Sequence, residues 1–211
     1  EASAQNIPLP DPSIIRQRVL DNLITQKIIL QLAQTNHITI SDQQVQAAIE
    51  QIKAAKNFGN AVFVLIGSGP CEQKLKSLVE QEQLKEKVYF IDRVPFSELH
   101  SYTCSADLGL CLIKGSGKSF YHSLPNKLFE YMMAGLPIVA SDFPEMKNVI
   151  QKTGAGATID PTDVDSISLE VRNMLKNQDG LVRQHKSALS ASKIYNWEKE
   201  SSVLLQLYSE L

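Results

Sequence analysis

The chain has 211 residues, of which 43% are hydrophobic and 21% charged, a composition typical of a folded protein with one large or two small domains. Its 21 Lys and Arg residues against 23 Asp and Glu residues give a net charge of -2, which argues against a nucleic-acid-binding protein. The longest apolar run, from Ala61 to Ile66, is too short to cross a bilayer, and no basic stretch precedes an apolar one, so neither a transmembrane segment nor a signal peptide is predicted.

The first 56 residues differ in composition from the rest of the chain. They contain no Gly, Cys, Phe, Tyr or Trp, and they hold nine of the sixteen glutamines. All ten glycines and all aromatic residues follow from Phe58 onward. Two explanations are open: either segments of different origin join near residue 56, or an all-helical arm has no need of glycine.

Two amphipathic helices are predicted within residues 1–56. The first is capped by Ser13 and runs to about Thr35, with apolar residues at three- and four-residue spacing. Those apolar residues are Leu20, Leu23, Ile24 and Ile28. The second helix begins at a capping box of Ser41 and Gln44 and ends near Lys56. Its predicted buried stripe consists of Val45, Ala48, Ile49 and Ile52.

From Phe58 onward, short apolar strands alternate with helices. Strands are predicted at residues 61–67, 88–91, 107–113, 136–140 and 157–159. Helices are predicted at residues 72–83, 96–105, 126–134, 144–151, 163–177, 180–192 and 197–209, with a loop rich in Gly, Ser and Lys before residue 126. This alternation predicts an α/β fold, with a Rossmann-like parallel sheet and helices on both faces, preceded by the α-helical N-terminal segment. Ligands of such sheets bind beyond the carboxyl ends of the strands.

Two glycine-rich turns look like nucleotide-binding motifs but lack essential parts. Gly67-Ser68-Gly69-Pro70 follows a strand, but Glu72 stands where a dinucleotide fingerprint has its third glycine. The turn either approaches a ligand closely or is a plain tight turn. Gly115-Ser116-Gly117-Lys118-Ser119 looks like the end of a Walker A motif, but Leu112 takes the place of its first glycine. A glycine-rich loop near a ligand is predicted there instead of a complete phosphate cradle.

No metal site is predicted. Asp163-Val164-Asp165 has the form of a metal-binding D-x-D motif, but it lies at a helix start, where helix capping is the preferred role. The residue types that commonly bind metals lack ligand spacing; they are His37, His100, His122, His185, Cys71, Cys104 and Cys111. We predict no cofactor, and the three cysteines are expected to be reduced thiols in a cytoplasmic chain.

The strongest motif runs from Ser123 to Ser141. A loop enters a helix at Pro125, and Gly135 ends that helix before a buried strand. The main-chain amides of Leu124 and Asn126, with the positive charge of Lys127, suit a phosphate group. Glu130, one turn further along, is placed to accept hydrogen bonds from a pair of sugar hydroxyls. The alternative is that Glu130 is an ordinary solvated helix acid.

This motif resembles the donor-binding half of GT-B retaining glycosyltransferases of family 4. The resemblance implies that Glu130 binds the ribose of a nucleotide-sugar, and that His122, in place of the family's first acid, faces the donor sugar. Residues 88–94 are similar to the family's base-binding turn, which implies that Arg93 and Val94 contact the base. It also implies sugar transfer from a nucleoside diphosphate donor with retention at the anomeric carbon and without a metal.

Two parts of the family pattern are expected to be missing. They are the acceptor-binding domain and the first strand of the donor domain, which carries the Arg and Lys that the family uses on the diphosphate. Residues 1–56 instead resemble the N-terminal region of SurA-type periplasmic chaperones. The residues that carry this second resemblance are Leu9-Pro10-Asp11, Asp21-Asn22-Leu23-Ile24, Ile28-Ile29-Leu30-Gln31-Leu32-Ala33 and Ile40-Ser41-Asp42-Gln43-Gln44-Val45.

The two resemblances together predict a mosaic chain. Residues 1–56 form a SurA-like helical segment, and residues 57–211 form a truncated GT-B donor domain that binds a nucleotide-sugar and is inactive alone. Two alternatives remain open. The chain could be a non-catalytic chimera, engineered or recombined, or a chaperone-type module whose Leu and Ile stripes hold apolar peptides. Self-association through the N-terminal helices is a further expectation.

Overall fold

The computed structural model describes residues 42–114 and 117–209. The predicted helix from Ser13 to Thr35 lies outside these residues. The helices are α1 (Asp42–Ala55), α2 (Glu72–Gln81), α3 (Phe96–Cys104), α4 (Lys118–Tyr121), α5 (Asn126–Met133), α6 (Pro144–Thr153), α7 (Val164–Lys176), α8 (Gln178–Ser192) and α9 (Trp197–Ser209). The strands are β1 (Phe63–Ile66), β2 (Val88–Ile91), β3 (Gly109–Cys111), β4 (Ile138–Ser141) and β5 (Gly156–Ile159).

The predicted alternation of strands and helices after Phe58 is confirmed, with small shifts at the element ends. One part of the predicted loop before α5 is wrong, because Lys118–Tyr121 forms the short helix α4. The amides of Phe120 and Tyr121 both donate to the Gly117 carbonyl, each at 3.1 Å, and close this turn. Four residues are too few to show a helical period, so the sequence pattern carries no signal for α4.

The strands are parallel, as predicted, and the described strands fall into two sheets. In the first sheet β1 pairs with β2, from Phe63 opposite Val88 onward. In the second sheet β4 lies between β3 and β5, and Ile138 is opposite Gly109 on one side and Gly156 on the other. Parallel strands of this kind are normally covered by helices on both faces.

Strand β4 lies at the centre of the hydrophobic core, and all four of its residues are buried. Val139 packs in a cluster with residues of α1, α2 and α7. Ile138 and Ala140 pack in a second cluster with residues of α5, α6 and α8. Successive side chains of a strand point to opposite faces, so a continuous apolar run fits a strand covered on both sides.

Helix α1 is part of the same core. Ile52, Ala54 and Ala55 are buried in the cluster that also contains Val139 of β4. The compact unit accordingly begins at residue 43, whereas the predicted junction of two sequence segments at residue 56 stays a prediction.

The predicted stripe of α1 is correct at Ile52 and wrong in part elsewhere. Ala48 and Ile49 are only half-buried, and the side chain of Val45 lies outside the described part. Gln51 points inward instead, and its Nε2 donates to the carbonyl oxygen of Leu112 at 3.2 Å. Apolar periodicity does not reveal a buried glutamine, because the carbonyl group that pairs with the glutamine lies far away in the sequence.

Candidate donor-binding site

Helix α5 begins with unpaired main-chain amides. No described side chain caps its first turn, which follows Pro125. Within the described ranges, the amides of Leu124, Asn126 and Lys127 have no hydrogen-bond acceptor. The first amide of the helix that donates is that of Leu128, to the Pro125 carbonyl at 3.0 Å. The start of a helix carries a partial positive charge, so this turn suits an anion.

Lys127 and Glu130 lie on successive turns of α5, and both are half-buried. In the part of the chain that the structure describes, neither side chain has a hydrogen bond or an ion pair. Lys127 lies close enough to the buried thiol of Cys111 to oppose the rise that burial causes in its pKa. A half-buried carboxylate and a half-buried ammonium group therefore stand beside the free amides, available to a ligand.

His122 lies just before this group, in the lead-in to α5, defined as residues 117–125. The His122 side chain is exposed, and its ring contacts the Tyr121 ring edge-on at 5.1 Å between centroids. On its other side Tyr121 contacts Phe143, with centroids 5.1 Å apart and planes inclined at 47°. The aromatic contacts hold Tyr121 and leave the imidazole of His122 open to solvent.

Arg93 and Val94 follow the carboxyl end of β2, in the other sheet. Arg93 is exposed and Val94 is half-buried. No hydrogen bond or ion pair between described residues joins either of them to α5. The structure thus places Leu124, Asn126, Lys127 and Glu130 on one segment, with His122 next to it. The predicted contribution of Arg93 and Val94 to the same site stays a prediction.

Ser141 also belongs to this region, although it is not among the site residues predicted from the sequence. It is the last residue of β4 and is completely buried. Its Oγ accepts a hydrogen bond from the Ile113 amide at 2.8 Å and donates to the Ile113 carbonyl at 2.9 Å. The sequence feature that could have indicated Ser141 is a hydroxyl residue at the end of an otherwise apolar strand.

A cavity of about 550 Å³ lies apart from these residues. Its lining includes Phe58, Asp107, Arg172 and Lys176, and none of the predicted site residues. Asp107 precedes β3, so the cavity lies near the amino end of that strand, opposite to the end that leads to α5. The cavity therefore does not contribute to the predicted donor site.

The D-x-D sequence caps a helix, as predicted. Asp163 Oδ1 accepts from the amides of Asp165 and Ser166, at 3.0 and 3.1 Å. The Ser166 side-chain hydrogen bond is the main cause of a lowered pKa for Asp163. Across the described ranges, no three His, Cys, Asp or Glu side chains cluster as a metal site would require.

No helix in the described ranges combines the length and the apolar character that crossing a bilayer requires.

Comparison with known proteins confirms both resemblances. A putative colanic acid biosynthesis glycosyltransferase, WcaL of Escherichia coli strain K12, is 25% identical over 125 residues, which are 59% of this chain and 31% of WcaL. Chaperone SurA of Sodalis glossinidius is 51% identical over 53 residues, which are 25% of this chain and 12% of SurA. The chain thus spans less than a third of either of these relatives.

The fold is also shared with solved structures. Anabaena Alr3699/HepE, solved in complex with UDP and glucose, superposes with a TM-score of 0.68 at 14% identity, over 86% of this chain and 52% of HepE. The sequence model of the family Glycosyl transferases group 1 matches residues 25–191. The match begins within the predicted SurA-like segment, earlier than the expected start at Phe58. This match covers most of the sequence, and the chain belongs to the Glycosyl transferases group 1 family.

Proposed function

We propose that this chain binds the nucleoside diphosphate part of a sugar donor at the start of α5, as the donor-binding half of a retaining glycosyltransferase. The observation that carries the proposal is that the Lys127 and Glu130 side chains have no partner among the described residues, on a helix whose first amides have no acceptor there. Family membership supports the reaction class. HepE, a structural neighbour, was solved with UDP and glucose.

Each group has a chemical role in this proposal. The amides of Leu124 and Asn126, together with Lys127, hold the diphosphate and stabilise the negative charge that it gains as the leaving group. The carboxylate of Glu130 accepts hydrogen bonds from two ribose hydroxyls. His122 faces the sugar, while Arg93 and Val94 contact the base. The positive charge of Lys127 and of the helix start makes a metal unnecessary, and the only small molecule required is the donor substrate.

We further propose that these 211 residues bind a donor without transferring its sugar. Transfer requires the acceptor to be held against the anomeric carbon, and the site proposed at α5 holds the donor alone. A cytoplasmic location is proposed as well, because the three cysteines, all in the described part, are free thiols. An assay for sugar transfer to added acceptors tests the first point, since enzyme-dependent product would contradict it.

Thermal unfolding with added nucleotides tests the binding proposal. A ligand at 100 times its dissociation constant should stabilise the folded state by about 2.7 kcal/mol. UDP, GDP, ADP and their sugar derivatives should be compared with the matching nucleosides, which lack the diphosphate. Stabilisation by at least one diphosphate and by no nucleoside supports the proposal. Equal midpoints with all ligands would contradict it and favour the non-catalytic chimera.

A second candidate function is peptide binding by the N-terminal segment. The observation that favours it is the 51% identity to Chaperone SurA over 53 residues. In this alternative, the Leu and Ile stripes of the first helices hold apolar peptides or associate with a second copy. Fluorescence anisotropy of a labelled apolar peptide, and the mass of the protein in solution, test the two versions. A peptide that fails to bind, together with a monomeric mass, would exclude both.

A further inference from the structure

The connection from β3 to α5 leaves the sheet one residue before β4 ends. The parallel register of β3 and β4 stops at Cys111 opposite Ala140, whereas β4 still pairs with β5 at Ser141. The main chain of Leu112 and Ile113 therefore loses its ladder partners while it is still buried or half-buried. Buried main-chain groups need other hydrogen-bond partners, and the identity of those partners decides where the chain goes.

Two buried polar side chains supply these partners. Ser141 Oγ uses both of its capacities on Ile113, as acceptor from the amide at 2.8 Å and as donor to the carbonyl at 2.9 Å. Gln51 of α1 donates to the Leu112 carbonyl at 3.2 Å. Within the described part only three polar side chains are buried, namely Gln51, Ser141 and Ser168. Two of the three therefore bind the place where the chain leaves the sheet.

The far side of the same connection is held from the same strand end. Tyr121 packs on Phe143 with ring centroids 5.1 Å apart. The amide of Phe143 donates to the Ser141 carbonyl at 2.7 Å, which closes the turn between these two residues. His122 follows Tyr121 directly and Leu124 is three residues after it, so the positions of both depend on this anchor.

We infer that Ser141 and Phe143, here called the β4 clamp, are positioning residues for nucleotide binding. The clamp holds Ile113 on one side and Tyr121 on the other, and so sets where the lead-in brings His122 and the free amides of α5. Holding the segment before the ligand arrives lowers the ordering cost that binding would otherwise include. The ligand in this inference comes from the proposed function, whereas the ordering of the lead-in can be measured without any ligand.

Hydrogen exchange and calorimetry on Ser141→Ala test the clamp. We expect the hydrogen-bonded amides of residues 120–123 to exchange at least tenfold faster, with α6 and α8 unchanged, and the affinity for UDP or GDP to fall about tenfold. Ser141→Cys keeps a weak donor and a weak acceptor. Its exchange rates and its nucleotide affinity should therefore lie between those of the wild type and those of Ser141→Ala. Phe143→Leu, which removes the aromatic contact, should give the same pattern and serves if Ser141→Ala does not fold.

Ser168→Ala is the matched control. Ser168 is a buried serine of α7, whose hydroxyl lies 2.8 Å from the Val164 carbonyl and 3.1 Å from the Ala54 carbonyl, away from the lead-in. It should leave both the exchange of the lead-in and the nucleotide affinity unchanged. Faster exchange in the lead-in of Ser168→Ala as well, or unchanged exchange in Ser141→Ala and Phe143→Leu, would overturn the clamp.

The two proposals fail in different ways. A wild-type chain that binds UDP or GDP, with the same affinity and exchange as Ser141→Ala, overturns the clamp and leaves the proposed function standing. A wild-type chain that binds neither nucleotide overturns the proposed function, and the exchange comparison still decides whether the clamp orders the lead-in.

Discussion

The ring of His185 in α8 forms a hydrogen bond with the carbonyl oxygen of Gly135, with Nδ1 2.6 Å from that oxygen. A carbonyl only accepts hydrogen bonds, so Nδ1 carries the proton. Gly135 has a φ of +69°, and the Leu136 amide donates back to the Tyr131 carbonyl at 2.8 Å, which ends α5. The contact with His185 therefore fixes the carboxyl end of the helix that carries Glu130.

Gly135→Ala should destabilise the protein by more than the roughly 1–2 kcal/mol that a left-handed residue alone costs. An added Cβ would come 2.6 Å from the His185 ring, so the ring must move as well. Gly59→Ala is the matched control, because Gly59 has a φ of +71° and open space around its Cβ position. Urea unfolding measures the loss of stability in both variants. Adding His185→Ala to Gly135→Ala should recover part of the loss by which Gly135→Ala exceeds Gly59→Ala. Equal losses at the two glycines would show that the ring contact adds nothing.

Ile52→Ala should cost about 2–5 kcal/mol, the usual range for a buried Ile. The side chain is completely buried in the cluster around Val139, so the substitution leaves a cavity. Ile49→Ala, on the same helix but half-buried, should cost clearly less. Chemical unfolding of the two variants compares them directly. A loss under about 0.5 kcal/mol for Ile52→Ala, the range of surface substitutions, would show that α1 does not belong to the core.

Much of the fold was predictable from local patterns. The apolar run at residues 136–140 predicted a buried strand, which the structure shows as β4. Pro125 and Gly135 marked the two ends of α5 correctly. The helix α4 was missed, because one short turn has no period. The inward position of Gln51 was missed because it depends on the Leu112 carbonyl, a contact that exists only in the folded chain.

The candidate site, like the fold, could be predicted from the sequence only in part. The chemistry of Lys127 and Glu130 could be inferred from residue type and position on a helix, since both properties are local. The role of Ser141 could not be inferred, because it follows from the register in which β3 leaves β4. Whether Arg93 acts beside α5 depends on the arrangement of two sheets, which no motif in either segment specifies.

Cys111 should be unreactive in the folded protein. Burial raises the pKa of its thiol to about 11, an effect that the nearby charge of Lys127 opposes. At pH 8 only about one such thiol in 1000 is ionised, against roughly a quarter for an ordinary cysteine. Ellman's reagent should therefore label Cys104 and Cys71 in the native chain and a third thiol only after unfolding. Cys111→Ala should keep the native count and lose the third thiol, and rapid native labelling of three thiols would contradict this account.

Asp142 should make stability dependent on pH in the acid range. The hydrogen bond from Lys147 is the main cause of its lowered pKa, and one from Thr158 adds to it. A carboxyl group whose pKa is lower in the folded state stabilises the fold above its unfolded pKa of about 3.9, and this contribution is lost as pH falls through the folded value. Asp142→Asn should thus lower the urea midpoint at pH 7 and have a smaller effect near pH 2. Lys147→Met should behave alike, and a pH-independent difference would refute this role.

The direct test of the donor site compares two ligands on one carboxylate. Calorimetry should measure the binding of the better of UDP and GDP, and of pyrophosphate, to the wild type and to Glu130→Gln. A hydrogen bond to a charged group is worth about 1.5–3 kcal/mol, so the nucleotide affinity should fall at least tenfold, whereas pyrophosphate, which has no ribose, should bind as before. Lys127→Met is the complementary variant and should weaken both ligands. Equal loss of both ligands in Glu130→Gln, or loss of neither, would contradict the assignment of Glu130 to the ribose.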